Sequence, residues 1–250
     1  MKGIIFIIVQ KIILYVKVAV QFIGGGQSCI ICDKKSYIYC ICPECIKKFY
    51  SLPCLNDSYC KICGKILISE DEICSECRKE TVIKSTTKVY SLFSYRLWNI
   101  KLMCLWKLDG DRLLSRFFSE RIYEMLCIIK KSVQDIILVP VPPRPGKLKQ
   151  KGWDQVKDIC DYLQYKYGFI VKNALIRNSD VEQKSLDKRE RLSTIGNSYS
   201  IVPEEDVYEK NLCIIDDVLT TGATIECCAK LLKNAGAKIV YALTLFCVDS

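Results

Sequence analysis

The sequence of 250 residues contains no histidine. Without an imidazole, the chain has no Ser-His or Cys-His nucleophile pair, no histidine general base and no histidine metal ligand. Any metal site must therefore be built from cysteine or carboxylate side chains. The chain also lacks the G-x-x-x-x-G-K-[ST] loop of P-loop NTPases, because its Gly-Lys pairs at 64–65 and 146–147 are followed by isoleucine and leucine.

The composition is typical of a folded protein and excludes a disordered or collagen-like chain. Half of the residues are hydrophobic and 26% are charged. The length predicts one or two domains. Lysine and arginine outnumber the acids, which gives a net charge of +9 and favours a polyanionic ligand or partner.

Cysteine is abundant, and eight of the 17 cysteines form four Cys-x-x-Cys pairs separated by gaps of 9, 14 and 10 residues. The pairs are Cys29/Cys32, Cys42/Cys45, Cys60/Cys63 and Cys74/Cys77. A Cys-x-x-Cys turn places two thiolates on one side of the chain, and two turns complete a tetrahedral structural Zn²⁺ site. The spacing predicts one zinc ion at the first two pairs and another at the last two. Cross-paired turns, a single occupied site, an iron–sulfur cluster and a metal-free ribbon remain open. Disulfides are disfavoured, and a reducing cytoplasm is the predicted compartment.

The N-terminal segment, residues 1–23, is strongly apolar but is interrupted by Gln10, Lys11 and Lys17. These interruptions, and the lack of a small-residue cleavage site, argue against a membrane span or a signal peptide. At about 100° per residue, the lysines and glutamines fall on one half of a helical wheel, and glycines follow the segment. We therefore predict an amphipathic helix that packs on the cysteine module or on a partner. Contact with a membrane surface is the less favoured alternative.

The pattern predicts three parts: an N-terminal helix over 1–26, a double zinc ribbon over 27–80 and an α/β domain over 81–250. Residues 81–135 show mostly helical periodicity. Strand candidates then alternate with helical segments, which predicts a parallel sheet flanked by helices. Those strand candidates are 136–141, 169–171, 212–215 and 238–247. Residues 178–194 are polar and are predicted as a loop.

The strongest catalytic signal is LCIIDDVLTTGAT, residues 212–224, in which an apolar strand ends in Asp216 and Asp217. A Thr/Gly turn then opens a helix. The turn offers backbone N–H groups, hydroxyls and a close approach at a helix N-terminus, which together favour phosphate binding. The two carboxylates would hold ribose hydroxyls, directly or with Mg²⁺. The residues of the turn are Thr220, Thr221, Gly222, Ala223 and Thr224.

This segment resembles the phosphoribosyl-pyrophosphate (PRPP) motif of type I phosphoribosyltransferases, and with the cysteine pairs the chain resembles the ComF family of competence-associated proteins. The resemblance covers nearly everything from Cys29 onward and rests on several motifs in order. Besides the cysteines and the loop, they are Tyr95 through Lys107 and Gly110, Pro140-Val141-Pro142, Lys151-Gly152-Trp153-Asp154-Gln155, and Gln183 with Leu186 and Arg191. The family commonly has Arg-Gly-Phe-Asn-Gln at 151–155, so this chain departs there.

The resemblance implies a type I phosphoribosyltransferase-like sheet after a double zinc ribbon. Asp216 and Asp217 would bind the PRPP ribose, and the turn at 220–224 its 5′-phosphate. Val141, Pro142 and Arg144 would form the pyrophosphate loop, with bridging Mg²⁺. Lys184 and Arg191, on a hood over 182–191, would stabilise the leaving pyrophosphate.

The function implied is PRPP binding, with or without transfer, in the service of competence and DNA uptake. A basic run at 144–151, with Trp153 nearby, is a candidate contact for single-stranded DNA. The ribbons are candidates to dock an uptake helicase. Two alternatives stay open: a non-catalytic nucleotide- or DNA-binding accessory protein on the same fold, and a nucleobase salvage transferase.

Overall fold

The structure, a computed structural model, describes residues 2–52, 59–67, 70–144, 146, 152–178 and 198–248. Its N-terminal part contains one long helix, two short helices and a two-stranded antiparallel sheet. These elements are α1 (Lys2–Ile23), β1 (Gln27–Ser28), β2 (Lys35–Ser36), α2 (Pro43–Phe49) and α3 (Ser75–Lys79). Each short helix follows a cysteine, Cys42 or Cys74, whose extended backbone occupies the N-cap position.

A parallel sheet forms the centre of the rest of the chain. The strands are β3 (Lys88–Ser94), β4 (Ile136–Pro140), β5 (Ile170–Val171), β6 (Leu175–Arg177), β7 (Tyr199–Ile201), β8 (Asn211–Leu219) and β9 (Ile239–Cys247). Five of them pair in parallel in the order β3-β9-β8-β4-β5. The other two, β6 and β7, form a separate antiparallel pair. The helices are α4 (Trp98–Lys107), α5 (Leu113–Ile129), α6 (Gln155–Tyr167) and α7 (Ala223–Asn234).

The two faces of the sheet carry separate hydrophobic cores. Side chains of successive strand residues point to opposite faces, so Cys213 and Ile215 enter one core while Leu212 and Ile214 enter the other. Helices α4, α5 and α6 cover the first core, which we call the α5 face. Helix α7 covers the second, the α7 face.

The cysteine module contributes to both cores. On the α5 face, the buried ring of Tyr50 makes edge contacts with Phe93 and Phe117, with centroid distances of 5.0 and 5.2 Å. On the α7 face, Gly64 lies against the backbone of Val89 in the edge strand β3. The ribbons therefore sit on either side of the sheet and cover its β3 edge.

The predicted fold class, an α/β parallel sheet flanked by helices and preceded by a four-cysteine module, is confirmed. The expectation of mostly helical structure over 81–135 is wrong in one place, because strand β3 lies within that range. The strand expected at 212–215 is also longer than predicted. It continues to Leu219 because the neighbouring strand β9 pairs with it as far as Cys247.

Helix α1 packs on α6 through Phe6, whose ring lies 5.4 Å from Tyr162 and 5.1 Å from Tyr165. The first contact of α1 is therefore with a helix of the α5 face. Within the described ranges, none of the helices combines the length and the apolar character that crossing a bilayer requires.

Candidate phosphate site and metal centres

The eight predicted metal ligands come together in two groups with the pairing predicted from the sequence. Their sulfur atoms lie within 4.8 Å of one another in each group. The groups are Cys29, Cys32, Cys42 and Cys45, and Cys60, Cys63, Cys74 and Cys77. Four convergent thiols at this separation fit a closed, structural Zn²⁺ site.

Backbone hydrogen bonds to sulfur support this assignment. The N–H of Cys42 donates to Cys29 Sγ at 3.3 Å, and the N–H of Cys74 donates to Cys60 Sγ at 3.4 Å. Such donors stabilise the thiolate form that zinc requires. A thiol hydrogen bond from Cys63, together with the backbone N–H groups of Cys63, Cys74 and Ile62, lowers the pKa of Cys60 to about 4. At Cys29, burial opposes the N–H donors, which still lower the pKa to about 7.

The two groups repeat the same local structure, which the cysteine spacing alone did not reveal. A residue with positive φ follows the first pair of each group, Asp33 (φ 60°) or Gly64 (φ 70°). An ion pair then spans each ribbon, Lys34 to Glu44 at 2.5 Å and Lys65 to Glu76 at 3.2 Å. The signal was present in the sequence as a lysine two residues after the first pair of each group and a glutamate two residues after the first cysteine of the second pair.

The acids of the candidate phosphate site lie near the carboxyl end of β8. Alternate residues of a strand lie on the same face, so Asp217 shares the face of Ile215 and points towards α4. Its carboxylate lies 2.6 Å from Lys107 Nζ. Asp216 lies on the opposite face of β8, and its Oδ1 accepts a hydrogen bond from the N–H of Asp217 at 2.8 Å. The adjacent carboxylates therefore leave β8 on opposite faces at the strand end, a difference in direction that the sequence did not indicate. Lys107 is a site residue to which sequence analysis gave no role.

The Thr/Gly turn connects β8 to α7. Thr220 and Thr221 are exposed, and Gly222 has a φ of 82° directly before the first helical residue. The first N–H groups of a helix have no partner within it. This end of α7 thus offers main-chain donors and two accessible hydroxyls to an anion.

The turn after β4 lies beside this site. Pro140 is opposite Ile215 of β8, and the N–H of Val141 donates to the Ile215 carbonyl at 3.0 Å. Pro142 is half-buried and Arg144 is exposed. The structure therefore brings the predicted pyrophosphate turn and the acidic strand end to the same edge of the sheet. Lys184 and Arg191, together with Lys147, Lys149 and Lys151, lie outside the described residues.

A linker from the second ribbon covers the back of the Thr/Gly turn. A Cβ atom on Gly222 would lie 2.6 Å from the side chain of Ile83. The Glu226 carboxylate holds the linker there by accepting the N–H groups of Lys84 and Ser85, at 2.7 and 2.8 Å, and the Ser85 hydroxyl. A cavity of about 460 Å³ lies between this turn and the second cysteine group. The sequence gives no sign of this contact, because no local pattern links residues as far apart as Ile83 and Gly222.

Trp153, the proposed stacking platform for DNA bases, packs on the protein. Its ring lies edge-on to Trp106 at 6.4 Å, and the Arg112 guanidinium lies 5.4 Å from its centroid. This placement engages the Trp153 ring with the α5 face.

Comparison with known proteins identifies competence proteins as relatives. The chain is 27% identical over 210 residues to competence protein ComFC of Streptococcus pneumoniae, which covers 82% of this chain and 87% of the relative. It is 22% identical over 204 residues to competence protein F of Haemophilus influenzae, covering 79% and 86%. No family model matches the chain.

Among solved structures, an allosteric regulatory enzyme of purine biosynthesis matches 45% of this chain and 22% of its own length, with 20% identity and a TM-score of 0.33. A hypoxanthine phosphoribosyltransferase from Staphylococcus aureus matches 53% of this chain and 64% of its own length, with 14% identity and a TM-score of 0.34. The chain thus spans less than two thirds of either structure.

Proposed function

Since the chain is a homologue of the ComF-type competence proteins, we propose that it is a cytoplasmic, zinc-containing, phosphoribosyltransferase-like protein that serves DNA uptake. It binds PRPP, or a related phosphoribosyl compound, together with Mg²⁺. The observation that carries the proposal is the meeting of three features at one sheet edge: the acidic end of β8, the Thr/Gly turn and the turn after β4.

Each feature suits one part of this ligand. The N–H groups and hydroxyls at 220–224 hold the 5′-phosphate, since a helix N-terminus favours an anion. Asp216 and Asp217 accept hydrogen bonds from the ribose diol, and the ion pair with Lys107 holds the Asp217 side chain in place. The turn at 141–144 receives the pyrophosphate, with Arg144 as the nearby cation. Mg²⁺ bound with this ligand would supply further charge neutralisation, and Asp216 and Asp217 are the carboxylates that could hold it.

Any transfer from this ligand develops positive charge at the sugar and negative charge on pyrophosphate. Catalysis then depends on cations at the leaving group and on the exclusion of water more than on a strong base. Arg144, Lys184 and Arg191 are the residues we propose for the first task. The lack of histidine is compatible with this chemistry.

The zinc-loaded protein should bind PRPP in a Mg²⁺-dependent manner by calorimetry. Changing Asp216→Asn together with Asp217→Asn should weaken binding at least tenfold, because two charge-assisted hydrogen bonds to the diol are lost. The matched control is Asp161→Asn, an acid on α6 that pairs with Lys157. No Mg²⁺-dependent binding by the wild type would refute the proposal. Pyrophosphate exchange measured on the same samples tells a transferase from a binding protein.

The second candidate function is single-stranded DNA binding next to this site. It is favoured by the net charge of +9 and by exposed Arg144, which begins the basic run at 144–151. Binding through phosphates should weaken steeply as salt rises, and Lys147→Ala, Lys149→Ala and Lys151→Ala together should reduce that slope. Lys130→Ala with Lys131→Ala is the control, since these exposed lysines precede β4 at the other end of the sheet. An unchanged slope in the triple variant would eliminate this stretch as the contact.

A further inference from the structure

Helix α1 turns its polar side towards the protein. Lys17 Nζ lies 2.9 Å from the Asp111 carboxylate, with 27% of the lysine side chain exposed. Gln21 is also half-buried, and Phe6 packs on α6. The side of α1 that contacts the rest of the protein therefore carries both polar and apolar side chains.

The opposite side of α1 is apolar and exposed. Ten of the nineteen large hydrophobic side chains exposed in the described part of the chain belong to this helix, from Ile5 at 59% to Ile23 at 87%. On a helical wheel with about 100° per residue, Phe22 and Ile13 mark the two ends of an arc of about 180°. Between Ile5 and Ile23, none of the residues on this arc has a charged or amide side chain. A monomeric soluble protein rarely exposes so large a contiguous apolar patch, which marks an interaction surface.

The apolar surface continues onto the first ribbon. Phe22 lies 5.9 Å from the ring of Tyr37, and both Tyr37 and Ile38 are exposed. Lys35 reaches the same end of the helix, since its Nζ lies 3.5 Å from the position of a Cβ on Gly25. The helix, about 33 Å long at 1.5 Å per residue, and the ribbon tip thus form one extended apolar surface with a cation at its end.

The chemistry of this surface identifies its occupant. A second helix would bury a stripe much narrower than half of the helix circumference. An α1 face this broad suits a continuous apolar medium instead. Lys11, Tyr15 and Phe22 fall within an arc of about 40° along one margin, where aromatic rings and lysine suit the polar boundary of a lipid layer. The helix contains no acid, in keeping with an anionic surface.

We propose that α1 lies flat on an anionic lipid bilayer. Its outward face enters the boundary between headgroups and acyl chains, and Tyr37 and Ile38 extend that contact. The protein would be held at the membrane surface by α1 while the sheet remains outside it. This inference is independent of PRPP binding.

The test is co-sedimentation of the zinc-loaded full-length protein with two kinds of vesicle, pure phosphatidylcholine and a mixture with phosphatidylglycerol. The wild type should bind the mixed vesicles, and bind pure phosphatidylcholine more weakly. Ile12→Glu should lower the affinity for the mixed vesicles about tenfold or more, because a charged side chain replaces an aliphatic one that the lipid would bury. The control is Ile170→Glu, an isoleucine of matched exposure (59% against 55% for Ile12) on β5, which should bind as the wild type does.

A second variant, Val16→Lys, separates insertion from simple charge attraction. It adds a positive charge to the apolar face, so insertion predicts weaker binding whereas attraction alone predicts stronger binding. Wild-type protein that stays in the supernatant, or Ile12→Glu that sediments as the wild type does, would overturn the proposal. A third outcome is that the wild type forms a dimer, that Ile12→Glu dissociates this dimer, and that neither the wild type nor the variant binds vesicles. This outcome would assign the apolar face of α1 to contact with a second copy of the chain. Circular dichroism checks that each variant keeps its helix.

Discussion

At the scale of single residues, Gly64 joins the second ribbon to the sheet. Its φ is 70°, and a Cβ there would overlap the Val89 carbonyl and lie 3.0 Å from the Ser91 nitrogen. Gly64→Ala should therefore cost the left-handed backbone penalty of about 1–2 kcal/mol and a further overlap penalty of about 1–3 kcal/mol. Urea unfolding of the zinc-loaded protein measures the sum.

Gly110→Ala provides the control for Gly64. Gly110 has nearly the same φ, 72°, but a Cβ there would meet nothing within 4 Å. This variant should show the backbone penalty alone, and its difference from Gly64→Ala isolates the contact with β3. Equal destabilisation of the two variants would mean that the ribbon does not press on Val89.

The sequence indicates a turn at Gly64, because a glycine directly after a Cys-x-x-Cys pair suits the positive φ of a tight turn. It could not predict that the turn rests on strand β3. The same holds for Asp217. The sequence shows an acid at the end of an apolar strand, but the ion pair of this acid depends on Lys107, which is 110 positions away in the chain. Local patterns identify residue types that suit a site, whereas tertiary pairing decides which way each side chain points.

At the scale of elements, the sequence around helix α7 agrees with the structure, because its apolar period, the preceding Gly222 and the following Gly236 all favour a helix there. Strand β3 was missed because the helical periods of α4 and α5 dominate the surrounding sequence. Its composition, KVYSLFS, is nonetheless rich in strand-forming residues. For α1, the wheel separated a polar from an apolar side but could not tell which side faces the protein, since that depends on Asp111.

The contact between the linker and α7 leads to a prediction about Glu226. Glu226→Ala removes the acceptor for two backbone N–H groups and one hydroxyl, at 2.7 to 2.8 Å. We expect a loss of about 1–3 kcal/mol of stability and faster proteolysis within 81–87. PRPP affinity should also fall, because Ile83 would no longer support Gly222 from behind.

Glu226→Gln should retain part of the contact, since an amide oxygen can still accept the N–H groups. The control is Glu204→Ala, an exposed acid on the loop before β8. Proteolysis within 81–87 that is no faster in Glu226→Ala than in Glu204→Ala would refute the idea that this carboxylate holds the linker.

At the scale of the whole molecule, the two cysteine groups belong to different cores. Cys29, Cys42 and Cys45 lie with Tyr50 on the α5 face, whereas Cys60, Cys63 and Cys74 lie with Ile83 on the α7 face. Each ribbon is built mainly on contacts with its own side of the sheet. Loss of metal from one ribbon should therefore leave the other ribbon folded.

This arrangement predicts the zinc content of cysteine variants. The wild type should hold about two zinc ions per chain, and Cys45→Ser or Cys74→Ser should each hold about one, since three thiolates bind zinc much less tightly than four. Each variant should melt at a lower temperature, because the ligand-linked stabilisation of one ribbon is lost. Cys127→Ser, a half-buried cysteine of α5 outside both groups, should keep two ions. Loss of both ions from either single variant would show that the two sites share ligands or fold as one unit. Such a result would contradict the placement of the ribbons on opposite faces of the sheet.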